Sequence, residues 1–466
     1  MAYLLIPISL FYKQIIPNIY IYYVPELSLY VYSILIGLAY YNDLRNKRRI
    51  EIWSAFNKRV MLCFVSIMIF QLIAMKISSM TIGHSVFNKS PLSEFIKLLV
   101  VGGCVFIHYL VVKKTIVTKQ SLVNFIKGNG VALVILLCIC YLQFLFLLFP
   151  NAFSSIVRVI GIFEYRYNRD WYTAGSYVQT LRRINGLNPE PGYLAAQLLV
   201  VFVPFVMASI KNKVNVFSFH SKYYHLPFFL LLFSIIILLF FAKTTTGIAA
   251  ILVILISLWF LLPNKQKLIT ILLLPIAGAI VFIVAKSNPV FMGVISTTFI
   301  DKLGGDSFTN RAGSTIGLIT TWLHHPVFGV GYNFHNFYMF KYVPEWAMSN
   351  FEYNTVFKPQ NYYPILSIFF GWLAEFGTLF IIFIVTYSVK LLNDLRRLAK
   401  SVEENQDERS MVNAIKDAAF FFFIYYFVCS LVSFNWYESI YLIMIFYFVV
   451  ARQILKQKYQ NELRYS

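Results

Sequence analysis

The residues best suited to chemistry stand together in Arg182-Arg183-Ile184-Asn185-Gly186-Leu187-Asn188-Pro189-Glu190-Pro191-Gly192, at the edge of a long apolar segment. Guanidinium groups capture phosphate oxygens bidentately and keep their charge at any working pH. Charge beside a membrane span is costly, so ionisable residues there mark a functional site by default. Gly186, Pro189, Pro191 and Gly192 fix a turn that holds Arg183 near the following helix. Glu190 stands just before Pro191, an ordinary capping position for a helix N-terminus. Its functional alternatives are to accept a proton from a hydroxyl or to hold Arg183 in place. Arg158, Arg166 and Arg169 precede the cluster and add to its positive charge.

A second group begins at Thr309-Asn310-Arg311-Ala312-Gly313-Ser314 and continues with His324-His325-Pro326-Val327-Phe328-Gly329-Val330-Gly331-Tyr332. No βαβ unit surrounds this Gly-x-Gly, so it is not a dinucleotide fingerprint. It reads as a tight turn that brings backbone N–H groups close to something. His324, His325 and His335 have no carboxylate or cysteine at ligand spacing, so neither a metal nor another cofactor is expected. Lys243-Thr244-Thr245-Thr246-Gly247 is either a polar hairpin or a lysine pointing into the cavity of the arginines.

These residues must be positioned by membrane helices. The chain has 466 residues, 59% of them hydrophobic and only 13% charged, and apolar runs recur along its whole length. Runs of about 17–25 residues suit a bilayer core. They place spans near 4–23, 27–42, 60–77, 92–112, 131–150 and 191–210, then near 226–242, 246–262, 268–286, 361–388, 413–433 and 438–452. The first is the weakest, with Lys13 and Pro17 inside it, and reads as a span or as a re-entrant or tilted segment. No cleavable signal peptide is read at the N-terminus. The expected fold class is therefore an all-α polytopic membrane protein of about 12 transmembrane helices.

The net charge of +20 belongs to short loops rather than to a nucleic-acid surface, and no nucleic acid is expected as a partner. Of the 40 lysines and arginines, 25 fall in alternate loops and the C-terminal tail. The positive-inside rule assigns those loops, and both termini, to the cytoplasm. Two loops on the opposite side are long, 151–190 and 287–360, and long loops tend to be functional. Tyr332, Phe334, Phe337, Tyr338, Tyr342, Trp346, Phe351 and Tyr353 make the larger one aromatic and folded in appearance. The stretch 389–412 reads as a cytoplasmic loop with helical extensions of mixed charge. Cys63, Cys104, Cys138, Cys140 and Cys429 all fall within spans, where a buried, unbridged role is expected.

In this order the motifs resemble the O-antigen polymerase and ligase superfamily. The resemblance covers roughly 130–390. Arg183-x-x-Gly186 runs on to Glu190-Pro191, and the short turn 243–247 and Arg311 follow. His325-Pro326-Val327-Phe328-Gly329-Val330-Gly331 and Leu373-Ala374-Glu375-Phe376-Gly377 complete the set. It implies a metal-independent glycosyltransferase of GT-C-like fold. The donor would be an oligosaccharide on undecaprenyl pyrophosphate, used at the periplasmic face of the bacterial cytoplasmic membrane. Membrane lipid, a chain-length regulator and a flippase are the partners it implies. Ligases of this superfamily carry a His-Asn pair near the end of the large loop, where this chain reads Gln360-Asn361-Tyr362. That departure favours the polymerase branch, although His335-Asn336 offers a substitute.

On this reading Arg183 and Arg311 neutralise the leaving pyrophosphate, and Glu190 or His335 serves as base. Arg182, Arg166, Arg169, Lys243, His335, Tyr332, Gln360 and Asn361 bind substrate. The competing class is a twelve-helix flippase or carrier, which would place its ionisable residues near the bilayer midplane.

Overall fold

The computed structural model describes residues 1–11, 13–16, 21–46, 58–166, 172–217, 225–287, 292, 305–401, 406–432 and 438–465. Their regular structure is helical, apart from one isolated antiparallel bridge between Gln14 and Glu26. In chain order the helices are α1 (Leu5–Leu10), α2 (Leu27–Arg45), α3 (Lys58–Ile82), α4 (Pro91–Thr115) and α5 (Lys119–Leu148). Next come α6 (Pro150–Phe163), α7 (Tyr177–Leu181), α8 (Pro191–Asn212), α9 (His225–Phe241), α10 (Thr245–Leu261) and α11 (Asn264–Ser287). The rest are α12 (Asp306–His324), α13 (His335–Tyr342), α14 (Glu345–Met348), α15 (Ile368–Ser401), α16 (Gln406–Val432) and α17 (Ser439–Tyr465).

Among the described residues seven helices are long and apolar enough to cross a membrane: α3, α4, α5, α8, α15, α16 and α17. The chain is a polytopic α-helical membrane protein, and the structure does not support the expected count of twelve. Helices α9 and α10 are apolar but only 17 residues long. At about 1.5 Å per residue they fall short of a ~30 Å hydrocarbon core if they stand upright. At 4–23 the structure gives no single continuous helix and agrees with the re-entrant alternative. Its helix ends at Leu10, and the backbone doubles back through hydrogen bonds from Ile15 N–H to Pro25 C=O and from Leu27 N–H to Lys13 C=O. Helix α5 starts earlier than the apolar run at 131–150. A reciprocal cap between Thr118 and Ser121 satisfies its first donors and carries the helix back to Lys119.

Helix α8 is the centre of the bundle, with 89% of its spanning window buried. Small and branched residues from Leu194 to Ala208 let neighbours close on every face, so dispersion packing supplies its stability. It widens into a π-type turn over Leu198–Phe202, ahead of Pro204, which has no N–H to give. The buried Asn129 amide donates to the Val201 carbonyl at 3.2 Å, satisfying a group that the irregular turn exposes.

The stretch 151–190 holds α6 and α7 rather than an extended loop. Ile156, Val159, Ile162 and Phe163 stand exposed along α6 at helical spacing, while Val157 and Gly161 are buried. The stretch 389–412 is mostly the continuation of α15 and the first turns of α16. Leu391, Leu395 and Ala399 are buried at four-residue spacing, which makes it a packed helix pair rather than a solvated loop.

Candidate active site

The segment 182–192 folds around one buried amide. Gln143, fully buried in α5, accepts from the backbone N–H groups of Asn185 (3.2 Å) and Gly186 (2.8 Å). Its amide group donates to Gly186 C=O at 2.9 Å and to Asn185 Oδ1 at 3.1 Å. Asn185 donates in turn to Asn188 C=O, and Asn188 donates to Gln197 Oε1 on α8 at 2.8 Å. Tyr172 Oη donates to Pro189 C=O at 2.7 Å. Glu164 accepts from Tyr177 N–H at 3.0 Å, and burial pushes its carboxyl up to about 7 despite that bond, another from Asn185 and the nearby Arg166. The turn that carries Arg183 and Glu190 is thus set by side chains from α5 and α8 together with Tyr172.

Arg183 leaves this turn toward the C-terminal end of α9. Nε donates to Ala242 C=O at 3.3 Å and Nη2 to Lys243 C=O at 2.8 Å. Helix C-termini attract cations, so the anchor also suits the charge. Lys243 is itself exposed and takes a left-handed conformation, φ 51°, that closes the turn into α10. Arg311 repeats the arrangement at another helix end, with Nη1 donating to Val432 C=O, the last residue of α16, at 3.3 Å. Burial pushes its guanidinium downward, opposed by Tyr193, Glu190 and Glu352. Glu190 is the N-cap residue of α8, yet its side chain makes no capping hydrogen bond. Its charge reaches Arg311 on one side and, together with that of Arg183, Tyr177 on the other.

The third component lies where the segment 325–331 crosses α15. Gly377 interrupts that helix at φ 77° and ψ −179°. Only glycine takes this conformation readily. The backbone groups freed there pair with the crossing segment: Val330 N–H to Ala374 C=O (2.8 Å), Gly331 N–H to Glu375 C=O (3.0 Å) and Thr378 N–H to Pro326 C=O (2.8 Å). A Cβ on Gly329 would stand 2.4 Å from the Glu375 backbone, too close for any side chain. The two motifs 325–331 and 373–377 are therefore one structural unit.

That unit presents Glu375 to His335. Glu375 Oε1 accepts from His335 Nδ1 at 2.7 Å and from Asn333 N–H at 2.9 Å. With its hydrogen on Nδ1, the neutral ring leaves Nε2 as an acceptor. Nε2 is buried and has no hydrogen-bond partner among the described residues. Asn336 Oδ1 accepts from Tyr363 N–H at 2.8 Å, and the Tyr362 ring lies 6.5 Å from that of His335. His335-Asn336 thus sits beside Tyr362 and Tyr363, the residues that follow Gln360-Asn361. Tyr332 is buried in the same region, its N–H donating to Gln71 Oε1 at 2.9 Å and its ring against Tyr22. Tyr22 lies within electrostatic reach of Tyr332, Tyr362, Glu375 and Tyr193, which joins this unit to the Glu190–Arg311 group.

Other expected site residues are turned elsewhere. Arg166 donates to the carbonyls of Gly161 (2.6 Å) and Gly175 and covers the Tyr172 ring, tying α6 to α7. Arg182 is exposed, with its guanidinium 4.8 Å from the centre of the Phe146 ring. Gln360 and Asn361 are exposed, Asn361 closing a short helical turn at φ 50°. Arg169 lies outside the described residues. The histidines have separate partners: His324 stacks on Tyr342, His325 meets the edge of Tyr338, and His335 pairs with Glu375. Gln143 and Glu375 were not singled out as site residues from the sequence. The first is an amide inside an apolar run; the second finds its partner 40 positions away.

No curated protein and no solved structure matches this chain. Residues 228–385, from α9 into α15, match the family described as O-Antigen ligase, and that match supports placing the chain in the O-antigen polymerase and ligase superfamily.

Proposed function

We propose that the chain is a glycosyltransferase that moves a glycan from undecaprenyl pyrophosphate onto a hydroxyl of a lipid-linked repeat unit, the polymerase reaction. The site would face the periplasm, with both termini in the cytoplasm. The observation that carries the reading is His335: a buried imidazole, oriented by Glu375, whose second nitrogen has no partner among the described residues, inside the stretch that matches the family. A nitrogen so held is the arrangement a general base requires. His335 Nε2 takes the hydrogen of the acceptor hydroxyl as its oxygen bonds to the anomeric carbon. The bond from that carbon to the pyrophosphate oxygen breaks, and its electron pair leaves with the pyrophosphate. Glu375 stabilises the imidazolium, while Arg183 and Arg311 receive the leaving group's charge. Glu190, within reach of Arg311, orients that guanidinium. Lys243 and Tyr332 would line the path of the glycan. A flippase would deliver the repeat units, and a chain-length regulator would act on the product.

Ligation to lipid A core is the second reading. It is favoured by His335-Asn336 lying beside Tyr362-Tyr363, so that the pair stands in space near the place where the ligase pattern expects it in sequence.

Expression in a host that lacks its own polymerase tests both. Long surface polysaccharide marks the polymerase, transfer to lipid A core marks the ligase, and neither product refutes glycosyl transfer. In purified form on lipid-linked repeat units, Arg183→Ala and Arg311→Ala should each abolish product. Arg311→Lys should restore part of it, because a point charge replaces the guanidinium fork incompletely.

A further inference from the structure

The unit around His335 is held from a third direction. Asn333, in the turn that leads into α13, has its N–H, its side-chain amide and its carbonyl each bonded to a charged residue. The N–H donates at 2.9 Å to Glu375 Oε1, the same oxygen that accepts from His335 Nδ1 at 2.7 Å. The side-chain amide donates to Glu94 Oε2 at 2.8 Å, and the carbonyl accepts from Lys89 Nζ at 3.1 Å. Asn333 takes the left-handed conformation, φ 67°, which asparagine adopts more readily than most residues.

Glu94 stands in the first turn of α4, and Lys89 in the turn between α3 and α4. Glu94 is 4% exposed, and its Oε1 takes a second donor, Lys97 Nζ, at 2.7 Å. The carboxylate is thus fixed by a cation on its own helix and by an amide 239 positions away. Burial, with Lys97, pushes the Lys89 ammonium downward, while Glu94 and Glu375 favour its charge, so Lys89 lies within electrostatic reach of both carboxylates. Apolar packing surrounds these bonds. Ile82 of α3 and Leu98 of α4 are buried in one cluster with Phe334, Tyr338 and Phe376, and the Phe87 ring meets Phe337 and Phe340 of α13. Asn333 lies outside any helix, so these side chains, rather than a helical ladder, determine where its N–H meets Glu375.

We propose that Glu94, acting through Asn333, is a positioning residue for the Glu375–His335 pair, with Lys89 holding the same turn from its carbonyl side. The proposal rests on the glycosyl-transfer reading above. Glu94 touches neither His335 nor the reacting atoms; it fixes the amide whose N–H fixes Glu375 Oε1, and that oxygen aims the ring. The base then depends on the pair α3 and α4, which precedes the stretch 228–385 that matches the family. A displacement of about 1 Å at a catalytic group is enough to slow a reaction markedly, so a distant tie of this kind is felt in the rate.

A double-mutant cycle on the full chain in lipid nanodiscs, with lipid-linked repeat units as substrate, decides it. Alone, Glu94→Ala should lower kcat about tenfold and leave KM within about twofold, because it disturbs the base rather than the bound lipid. Added to His335→Gln, it should cost less than about twofold more, since no imidazole remains to be aimed; a merely structural role would cost the same in both backgrounds. Glu94→Gln keeps an oxygen for the Asn333 amide and should recover most of the lost kcat. Asn333→Asp sets a second carboxylate against Glu94, tolerates the left-handed turn and takes the place of Glu94→Ala in the cycle if that variant does not fold. Equal losses in the two backgrounds, or full kcat in both Glu94→Ala and Asn333→Asp, overturn the positioning role and leave the transfer reading standing. A wild-type rate in His335→Gln overturns the base assignment and the positioning role with it.

Discussion

The loop that carries Arg183 and the unit that carries His335 differ in how completely their buried polar atoms are paired. Around Arg183, the Gln143 amide spends both its ends on Asn185 and Gly186, and only Gln197 Nε2 is left over among the described residues. Around His335, the carboxylate, the crossing backbone and Asn336 are paired with equal care, but the atom at the centre is not. Full pairing makes a rigid frame that aims a charge. A ring nitrogen left open as an acceptor inside such a frame is where a proton can go. The contrast divides positioning from chemistry, and each side of it can be attacked by substitution.

The largest effect is expected at the open nitrogen. His335→Gln should lower the initial rate on lipid-linked repeat units by about 10²- to 10⁴-fold at matched protein levels, the usual scale for loss of a general base. Glu375→Gln should follow it with a smaller loss, since the ring survives but is no longer stabilised as imidazolium. A rate for His335→Gln within about twofold of wild type would remove the chemical half of the comparison.

Next comes the frame. Gln143→Leu strands the N–H groups of Asn185 and Gly186, at a cost of about 1–3 kcal/mol for each buried donor left unpaired. Thermal unfolding should begin at lower temperature, and the rate should fall roughly tenfold to a hundredfold as Arg183 loses its aim. Equal losses from Gln143→Leu and His335→Gln, with both proteins folded, would erase the distinction between frame and reactive group.

A finer test uses pH. Burial raises the Glu164 carboxyl from 4.5 to about 7, so between those values the folded protein holds a proton that the unfolded chain has released. Its contribution is fully present below about 4.5 and declines as pH rises through about 7. Glu164→Gln should therefore flatten part of the fall in melting temperature between pH 5 and pH 8; an unchanged slope would exclude this carboxyl as the source.

The smallest effect is expected at Arg182, neighbour of Arg183 in sequence but exposed on the Phe146 ring. A cation–π contact at an exposed site is worth about 0.5–1 kcal/mol, so Arg182→Ala should change the rate by less than about threefold. A loss as deep as that of Arg183→Ala would show that the two guanidinium groups act together.

Sequence reading located helices better than their ends. Apolar runs mark the interior of a span, whereas the start of α5 depends on its cap and the end of α15 on residues such as Leu391, Leu395 and Ala399 that pack outside any apolar run. At 4–23 Lys13 and Pro17 already weaken a continuous span, but the pairing of Lys13 and Ile15 with Leu27 and Pro25 is visible only in the fold. At the site, Arg183, Glu190 and Arg311 stand out because charge is rare beside spans. Glu375 does not, because it is a lone polar residue in sequence and gains its meaning from a partner far along the chain. His335-Asn336 was visible, but its nearness to Tyr362-Tyr363 is a matter of folding alone.

The break in α15 at Gly377 bears on how substrates arrive. The segment 326–332 is tied to α15 by Val330, Gly331 and Thr378, and to α3 by Gln71, which donates to Phe328 C=O, and by Ser78, which donates to Val330 C=O. It is stitched into two membrane helices and has no freedom to swing as a lid. Its amides should exchange with deuterium about as slowly as those of α3. On the proposed transfer reaction, a lipid-linked substrate would reach His335 with this segment in place, entering past it rather than beneath it.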